Sequence, residues 1–445
     1  MRLFAWLLIL AASPSYAADL PSVVAAALAR SPALAETRAR KQEAEAARRE
    51  AFDGRLPRLS ARGAALRSDD PLFAFGSLLQ ERSVTQADFA PSALNQPGYR
   101  TAVHGALELG VPLFTGFELT RAREIADLAS SAADAYGGAA AQQVRLRAAD
   151  DYVRGLRDRA LLAELDVRIE SAKTEVESAE RLKKQGLILG SDHQAALAIL
   201  SGLKAWRAKA AAEKSAHDAE FSVLLGAPAP QAAGTLGDWA PPLEDDAALV
   251  AAALATRPEL RAAELRRSAA AVRERGAAQS LLPTVDAFAA VETSADGFTA
   301  ATAARMVGLR ANMLFGDPAY LARRGRAKAG TEAAEAERAQ LADAVRGEVL
   351  SRAAGIRGIE ATLPELQESL ARGEESLTLV RPLYREGRQS ILEVLRAEEA
   401  VARLRDARDE AQYRLRAEWA ALRAAQGRFD DEAVTALAHG LEEVR

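Results

Sequence analysis

Two different hydrophobic patterns run through the chain, and together they predict mostly helix with a small amount of strand. Long stretches dominated by Ala, Leu, Glu and Arg predict very long helices at about 118–185 and about 319–386, each followed by a shorter helix. Four other segments alternate apolar and polar residues at every second position, which is the period of a half-buried strand. These segments read RLSARGAAL, TAVHGALELGVPLF, PTVDAFAAVE and RMVGLRANMLF.

The same order of elements occurs twice, which indicates a tandem duplication. ALARSPAL around Pro32 corresponds to ALATRPEL around Pro258, and the glycine that interrupts the helix pattern at Gly186 corresponds to Gly387. We therefore divide the mature chain into a first repeat at 18–226, a linker rich in Pro and Gly at 227–246, a second repeat at 247–427 and a C-terminal tail at 428–445.

Each repeat is predicted to begin with one helix, at about 21–53 and about 246–280, before two strands, a very long helix and a shorter helix. The first repeat is longer by about 25 residues between its strands, where Pro, Gly, Asn and Asp predict a long loop at 67–100. At about 1.5 Å per residue, a helix of about 68 residues spans roughly 100 Å, a length that no compact domain has.

The N-terminal sequence predicts export from the cytoplasm. Arg2 precedes a short apolar run, and the small residues Ser15 and Ala17 suit cleavage after Ala17, so residues 1–17 are predicted to be a signal peptide. The chain contains no cysteine, which excludes disulfides and an anchor on a cysteine. The net charge of −4, with acidic residues interleaved among basic ones, argues against nucleic-acid binding.

The strand pattern by itself leaves two interpretations open. Four half-buried strands are typical of a small soluble sheet. Strands of about ten residues in an exported protein also suit a sheet that lies in a membrane. Because four strands cannot close a barrel, and an open edge in lipid leaves backbone groups unpaired, the membrane interpretation needs strands from several chains. Three chains would supply twelve strands, which cyclic symmetry would close.

The two interrupted helical segments carry a resemblance to a known family. GLILGSDHQAA and GRQSILEVLRAEE are similar to the two periplasmic turns of TolC-type outer-membrane efflux proteins. VPLFTG is similar to the place where a strand of that family continues into a long helix. The resemblance covers about 18–427 and depends on the repeat together with the paired turns.

The resemblance implies a mainly α fold with a small β part. Tandem-duplicated helical hairpins would form an α-helical barrel in the periplasm, and four strands from each chain of a homotrimer would form a twelve-stranded transmembrane β-barrel in the outer membrane. The implied function is a passive export channel of a tripartite efflux pump or a type I secretion system. An inner-membrane pump and a periplasmic adaptor protein would deliver the substrate, and the longer loop of the first repeat would face the cell exterior.

The resemblance also implies functional residues near the two turns. The tips that would dock the adaptor are Gly186, Leu187, Gly387 and Arg388. The gate or constriction would consist of Ser191, Asp192, Tyr384, Gln389, Glu393 and Arg396, with the tyrosine bonded to the aspartate. Two positions depart from the family pattern, because Gln389 replaces an arginine and Arg396 replaces a carboxylate. The second change puts the family's cation selectivity in doubt. A solvated pair between Glu393 and Arg396 within one helix is the alternative interpretation.

Nothing in the sequence predicts an enzyme, a metal site or a cofactor. The four histidines are scattered, and the SDH sequence at 191–193 offers too few ligands for a metal. Two alternatives to a channel remain. A periplasmic adaptor should carry a single hairpin flanked by half-lipoyl segments, and an exported coiled-coil scaffold would leave the alternating strands unexplained.

Overall fold

A computed structural model describes residues 17–186, 188–296, 302–386 and 388–441. The predicted signal peptide therefore lies outside the described residues, except for Ala17. The helices are α1 Leu20–Arg30, α2 Pro32–Asp53, α3 Pro71–Glu81, α4 Pro91–Asn95, α5 Glu118–Lys184, α6 Gly190–Leu225, α7 Asp246–Thr256, α8 Pro258–Ala278, α9 Tyr320–Arg385, α10 Ile391–Ala425 and α11 Asp431–His439. The strands are β1 Ala17–Ala18, β2 Arg58–Ser68, β3 Arg100–Thr115, β4 Gln231–Ala232, β5 Thr284–Asp296 and β6 Thr302–Asn312.

The long helices α5 and α9 lie where the sequence predicts them, and so do the shorter helices α6 and α10 that follow. Helices α6 and α10 end next to glycines with positive φ, 62° at Gly226 and 72° at Gly427. Glycine adopts this backbone conformation at little cost, so both positions suit the end of a helix. Among the described residues, no helix has both the length and the apolar character needed to cross a membrane.

The prediction of one helix at the start of each repeat is wrong, because each repeat begins with two. Ser31 separates α1 from α2, and Arg257 separates α7 from α8. Both residues have extended ψ angles, 117° and 122°. Each stands directly before a proline, whose ring disfavours helical backbone in the preceding residue. The proline then begins the next helix, where its missing N–H is not needed.

The prediction of a long loop at 67–100 is also wrong in part. This segment, which we call the insert, contains α3, a 3-10 turn at Gln86–Phe89 and α4. The Asp70 carboxylate caps α3 by accepting a hydrogen bond from the Phe73 amide at 2.9 Å, and Pro71 occupies the first turn. Proline and aspartate, which are common in loops, here begin a helix.

Strands β2, β3, β5 and β6 form one antiparallel sheet in the order β2-β3-β5-β6. Its register aligns Leu59, Leu109, Ala289 and Val307 in one row across all four strands. Neighbouring residues along a strand point to opposite faces. The alternation predicted from the sequence therefore produces one apolar face and one polar face.

The chain divides into two compact units, and each contains segments from both repeats. The first comprises the described parts of Met1–Arg38, Asp134–Ala262 and Ala339–Arg445, and the second comprises Ala39–Ala133 and Ala263–Arg338. The second unit contains the four-stranded sheet. The assignment of repeats at 18–226 and 247–427 stays a prediction, because a compact unit is not a test of common ancestry.

The first unit has a core formed by helices from both halves of the chain. Tyr152 of α5 is fully buried there, and its hydroxyl donates a hydrogen bond to the Ala18 carbonyl at 3.0 Å and accepts one from the Ala233 amide at 2.9 Å. This residue therefore holds β1 and the linker segment containing β4 against α5. Helix α11, within the predicted C-terminal tail, contributes Val434 and Leu437 to the same core.

Candidate functional site at the helical turns

The first turn joins α5 to α6. Gly186 has a φ of 73°, and its amide donates a hydrogen bond to the carbonyl of Lys183 at 3.0 Å. Glycine is favoured here because a side chain would be strained at this positive φ. Ser191 is exposed in the first turn of α6. The predicted tip residue Leu187 lies outside the described residues.

The second turn joins α9 to α10 and closes with different contacts. The Arg388 amide donates to the Leu383 carbonyl at 2.8 Å. The Ser390 hydroxyl caps α10 by accepting a hydrogen bond from the Leu392 amide at 3.2 Å. The side chain of Arg388 is exposed and forms an ion pair with the exposed Glu386 at 3.5 Å, so this tip presents a charged pair to solvent. The predicted tip residue Gly387 lies outside the described residues.

The two turns share one hydrophobic cluster, so the structure brings the predicted gate residues of both hairpins into one region. Ile188 from the first turn and Tyr384 from the end of α9 pack against the same buried group, which includes Ile391. The Tyr384 hydroxyl is buried and has no hydrogen-bond partner in the described chain. The bond to Asp192 that the resemblance implies is therefore not formed in a single chain.

Glu393 and Arg396 form an ion pair at 3.2 Å within α10. They are three residues apart and both are exposed to solvent. Such a pair on a helix surface contributes at most about 0.5 kcal/mol. Gln389 is also exposed. In one chain these residues form the solvated arrangement, and their role in a constriction stays a prediction.

A buried charged cluster close to the second turn was missed in the sequence. Glu398 of α10 is completely buried, and its Oε1 accepts hydrogen bonds from Arg381 of α9 at 2.5 Å and from the Ser171 hydroxyl of α5 at 2.6 Å. Its second oxygen, Oε2, is buried without a partner. We call Ser171, Arg381 and Glu398 the inner clasp, because together they join three helices.

The spacing of the buried residues along α10 could have indicated that Glu398 is buried. Ile391, Val394, Leu395 and Val401 are buried, and their spacing of three and four residues defines the face of α10 that packs inward. Glu398 lies on this same face, between Leu395 and Val401. A carboxylate on an otherwise apolar face requires a partner from a neighbouring helix. The identity of that partner could not be read from the spacing.

A second buried polar group lies farther along the same helices. His217 of α6 lies between Asp151 and Asp158 of α5, and each carboxylate is 3.4 Å from one ring nitrogen. Nearby, the Tyr413 hydroxyl of α10 donates to Asp150 at 2.9 Å, although burial still raises the pKa of that carboxyl. Within the described ranges, no group of histidines and carboxylates has an arrangement that could hold a metal ion.

The sheet of the second unit presents two contrasting surfaces. On the apolar face Leu59, Val307 and Leu309 are 72%, 82% and 71% exposed in the single chain. On the polar face Glu108 pairs with Arg62 at 3.1 Å and with Arg310 at 3.3 Å. Leucine and valine side chains left this exposed over several strands require a cover that the described residues of one chain do not provide.

Comparison with known proteins supports the sequence-based resemblance. Residues 249–428 match the family model described as outer membrane efflux protein. No curated protein sequence matches the chain significantly. The family description agrees with the outer-membrane location predicted from the sequence.

Solved structures of outer-membrane proteins have the same fold. CusC aligns with a TM-score of 0.76 and 17% identity, covering 92% of each chain. VceC of Vibrio cholerae aligns with a TM-score of 0.74 and 20% identity over 92% of this chain and 97% of that one. The CmeC channel of Campylobacter jejuni aligns with a TM-score of 0.74 and 14% identity over 95% and 90%. The chain thus resembles the outer membrane efflux protein family, in sequence over residues 249–428 and in fold over at least 92% of its length.

Proposed function

We propose that this chain is one protomer of a passive export channel in the outer membrane. The observation that carries the proposal is the exposed apolar face of the sheet, formed by alternate residues of four antiparallel strands. Alternate apolar residues facing outward, with polar residues on the other face, are the pattern of a transmembrane strand. The family match and the fold of known outer-membrane channels support the same function.

A homotrimer would complete the barrel. Strands β2 and β6 are the two edges of the sheet, and each has one side without a partner strand in the described chain. Backbone groups at such an edge cannot remain unpaired in lipid. Three chains related by a threefold axis would join β6 of one protomer to β2 of the next and close twelve strands.

The helical turns would dock a periplasmic adaptor that works with an inner-membrane pump. The predicted docking residues are Gly186, Leu187, Gly387 and Arg388. The first tip also exposes the apolar side chain of Leu189, and the second exposes the charged side chain of Arg388. An exposed leucine at one tip and an exposed Arg388–Glu386 ion pair at the other would offer the adaptor two chemically different contacts.

The gate would lie beside these tips. Its predicted members are Ser191, Asp192, Tyr384, Gln389, Glu393 and Arg396. Leaving a buried hydroxyl without a partner costs about 1–3 kcal/mol, so the free hydroxyl of Tyr384 would favour an assembly that supplies an acceptor. Asp192 of the same or a neighbouring protomer is such an acceptor. The inner clasp would hold the hairpins together just behind this point.

The test is to locate the protein and to count its subunits. We expect the chain in the outer-membrane fraction, crosslinking at three times the 47.3 kDa chain mass less the signal peptides, and forming ion-conducting pores in planar bilayers. An otherwise identical preparation from cells without the gene is the control. A soluble periplasmic monomer or dimer without pore activity would contradict the channel and favour the coiled-coil scaffold.

A further inference from the structure

The insert, which has no counterpart in the second repeat, packs onto the polar face of the sheet. The ring of Phe73 in α3 meets the ring of His104 in β3 edge-on, with centroids 6.3 Å apart. Ser77 of α3 is buried, and so are Ala102 and Ser294 at the same end of the sheet. His104 and Ser294 stand in one row across β3 and β5, on the polar face. Helix α3 therefore covers this face and leaves the apolar one open.

Polar contacts fix the C-terminal end of α3 to the sheet. The Thr302 hydroxyl of β6 donates to the Gln80 carbonyl at 2.6 Å, and Arg82 donates to the Ala303 carbonyl at 3.4 Å. Arg100 at the start of β3 pairs with Glu81. Helix α3 and the residue after it thus contact both β3 and β6, so α3 lies across the sheet and is not an extension of the β2–β3 hairpin.

Between α3 and the sheet lies an open cavity of about 930 Å³. Its lining includes Arg62, His104 and Glu292 from the strands and Gln80 from α3. The insert thus covers an open cavity whose floor on the sheet includes charged side chains. Such a surface suits the inside of a channel better than its contact with lipid.

We propose that α3 forms a second constriction of the pore, at the end of the barrel where the β2–β3 hairpin turns. The inference rests on the proposed function, because only in a closed barrel does the polar face become the wall of the lumen. Helix α2 leads into β2 and β3 leads into α5, and both connections lie at the end of this strand pair away from the insert. Three copies of α3 would therefore narrow the barrel at the end where β2 and β3 are joined by the insert.

Exposed apolar side chains of α3, including Leu72 at the open cavity, indicate which solutes this constriction excludes. Leu72 is 86% exposed, and Leu79 is also exposed. In a trimer these side chains would border the remaining opening. An apolar ring in a narrow pore hinders hydrated ions, because it cannot replace the water that they would lose. The mouth would therefore restrict small ions and pass solutes with apolar surface more readily.

The absence of native cysteine allows a direct test with Leu72→Cys in the full-length protein. After reconstitution of the trimer in planar bilayers, we expect a bulky, charged, water-soluble methanethiosulfonate to lower the single-channel conductance about twofold. Leu59→Cys is the matched control, because Leu59 is equally apolar and exposed but lies on the outer face. Its treatment should leave the conductance unchanged.

Two outcomes separate the failure of this inference from the failure of the proposed function. Pores that conduct normally after mass spectrometry shows complete modification of the Leu72→Cys protein would overturn the constriction while leaving the channel intact. Untreated protein that forms no pores would overturn the channel itself. In a second variant, replacement of residues 71–96 by a short Gly/Ser linker should raise conductance about twofold. Unchanged conductance of that trimer would also overturn the constriction.

Discussion

His217 is the residue whose charge depends most clearly on its neighbours. Burial alone would lower its pKa, but the carboxylates of Asp151 and Asp158 raise it to about 9. A histidine in an unfolded chain titrates near 6.5. Because the folded pKa is the higher one, protonation of His217 stabilises the fold. This stabilisation is fully present below about pH 6.5 and is lost as the pH rises through about 9.

We expect the melting temperature of the wild type to fall relative to that of His217→Gln as the pH rises from about 6.5 to 9.5. The loss corresponds to at most about 3 kcal/mol. Thermal unfolding of the detergent-purified protein, followed by circular dichroism, measures it. His439→Gln, at an exposed position, should reproduce the wild-type profile. Parallel profiles for the wild type and His217→Gln would show that this histidine does not carry the charge assigned to it.

At the scale of helices and strands, local signals predicted most of the fold. A glycine followed by a short break in the apolar spacing ends each long helical pattern, so the bounds of α5, α6, α9 and α10 could be read closely from the sequence. The errors occurred where short helices depend on caps, as in α3, or where a proline divides a helix, as before α2 and α8. The inner clasp could not be predicted from the sequence for another reason. Ser171, Arg381 and Glu398 lie on three helices, and only packing brings them together.

The inner clasp leads to a prediction about opening. Glu398→Gln removes the buried charge that Arg381 neutralises, and breaking such a pair costs up to about 3–5 kcal/mol, less here because Arg381 is partly exposed. If the clasp helps to hold the gate closed, the single-channel conductance in planar bilayers should rise about twofold. The double variant Arg381→Gln/Glu398→Gln restores a neutral pair and should return the conductance towards the wild-type value.

The neighbouring glutamate provides a control for that experiment. Glu399, which is half-buried, pairs with the exposed Arg403 of the same helix at 2.6 Å. Glu399→Gln removes the same charge one residue away without touching the core, and a surface pair of this kind contributes only about 0.3–0.5 kcal/mol. We expect wild-type conductance from this variant. An equal rise in both single variants would assign the effect to the charge of α10 in general and would contradict the clasp.

For the whole molecule, the two faces of the sheet decide between a barrel in lipid and a sheet in water. Met306 and Val307 are neighbours on β6 that point to opposite faces, because they pair with Ala290 and Ala289 respectively. Val307 belongs to the apolar face and Met306 to the polar one. Both side chains are exposed in the single chain, so neither substitution disturbs a packed core.

Val307→Lys should reduce assembly of the trimer in the outer membrane, whereas Met306→Lys should leave it close to the wild-type level. A lysine that faces lipid near the middle of the bilayer costs about 2–4 kcal/mol for each chain, and a trimer contains three of them. A lysine in the lumen remains in water and carries no such cost. The yield of crosslinked trimer in the outer-membrane fraction measures the difference. Equal yields from both variants would mean that the apolar face does not contact lipid, because a soluble sheet tolerates an exposed lysine on either side.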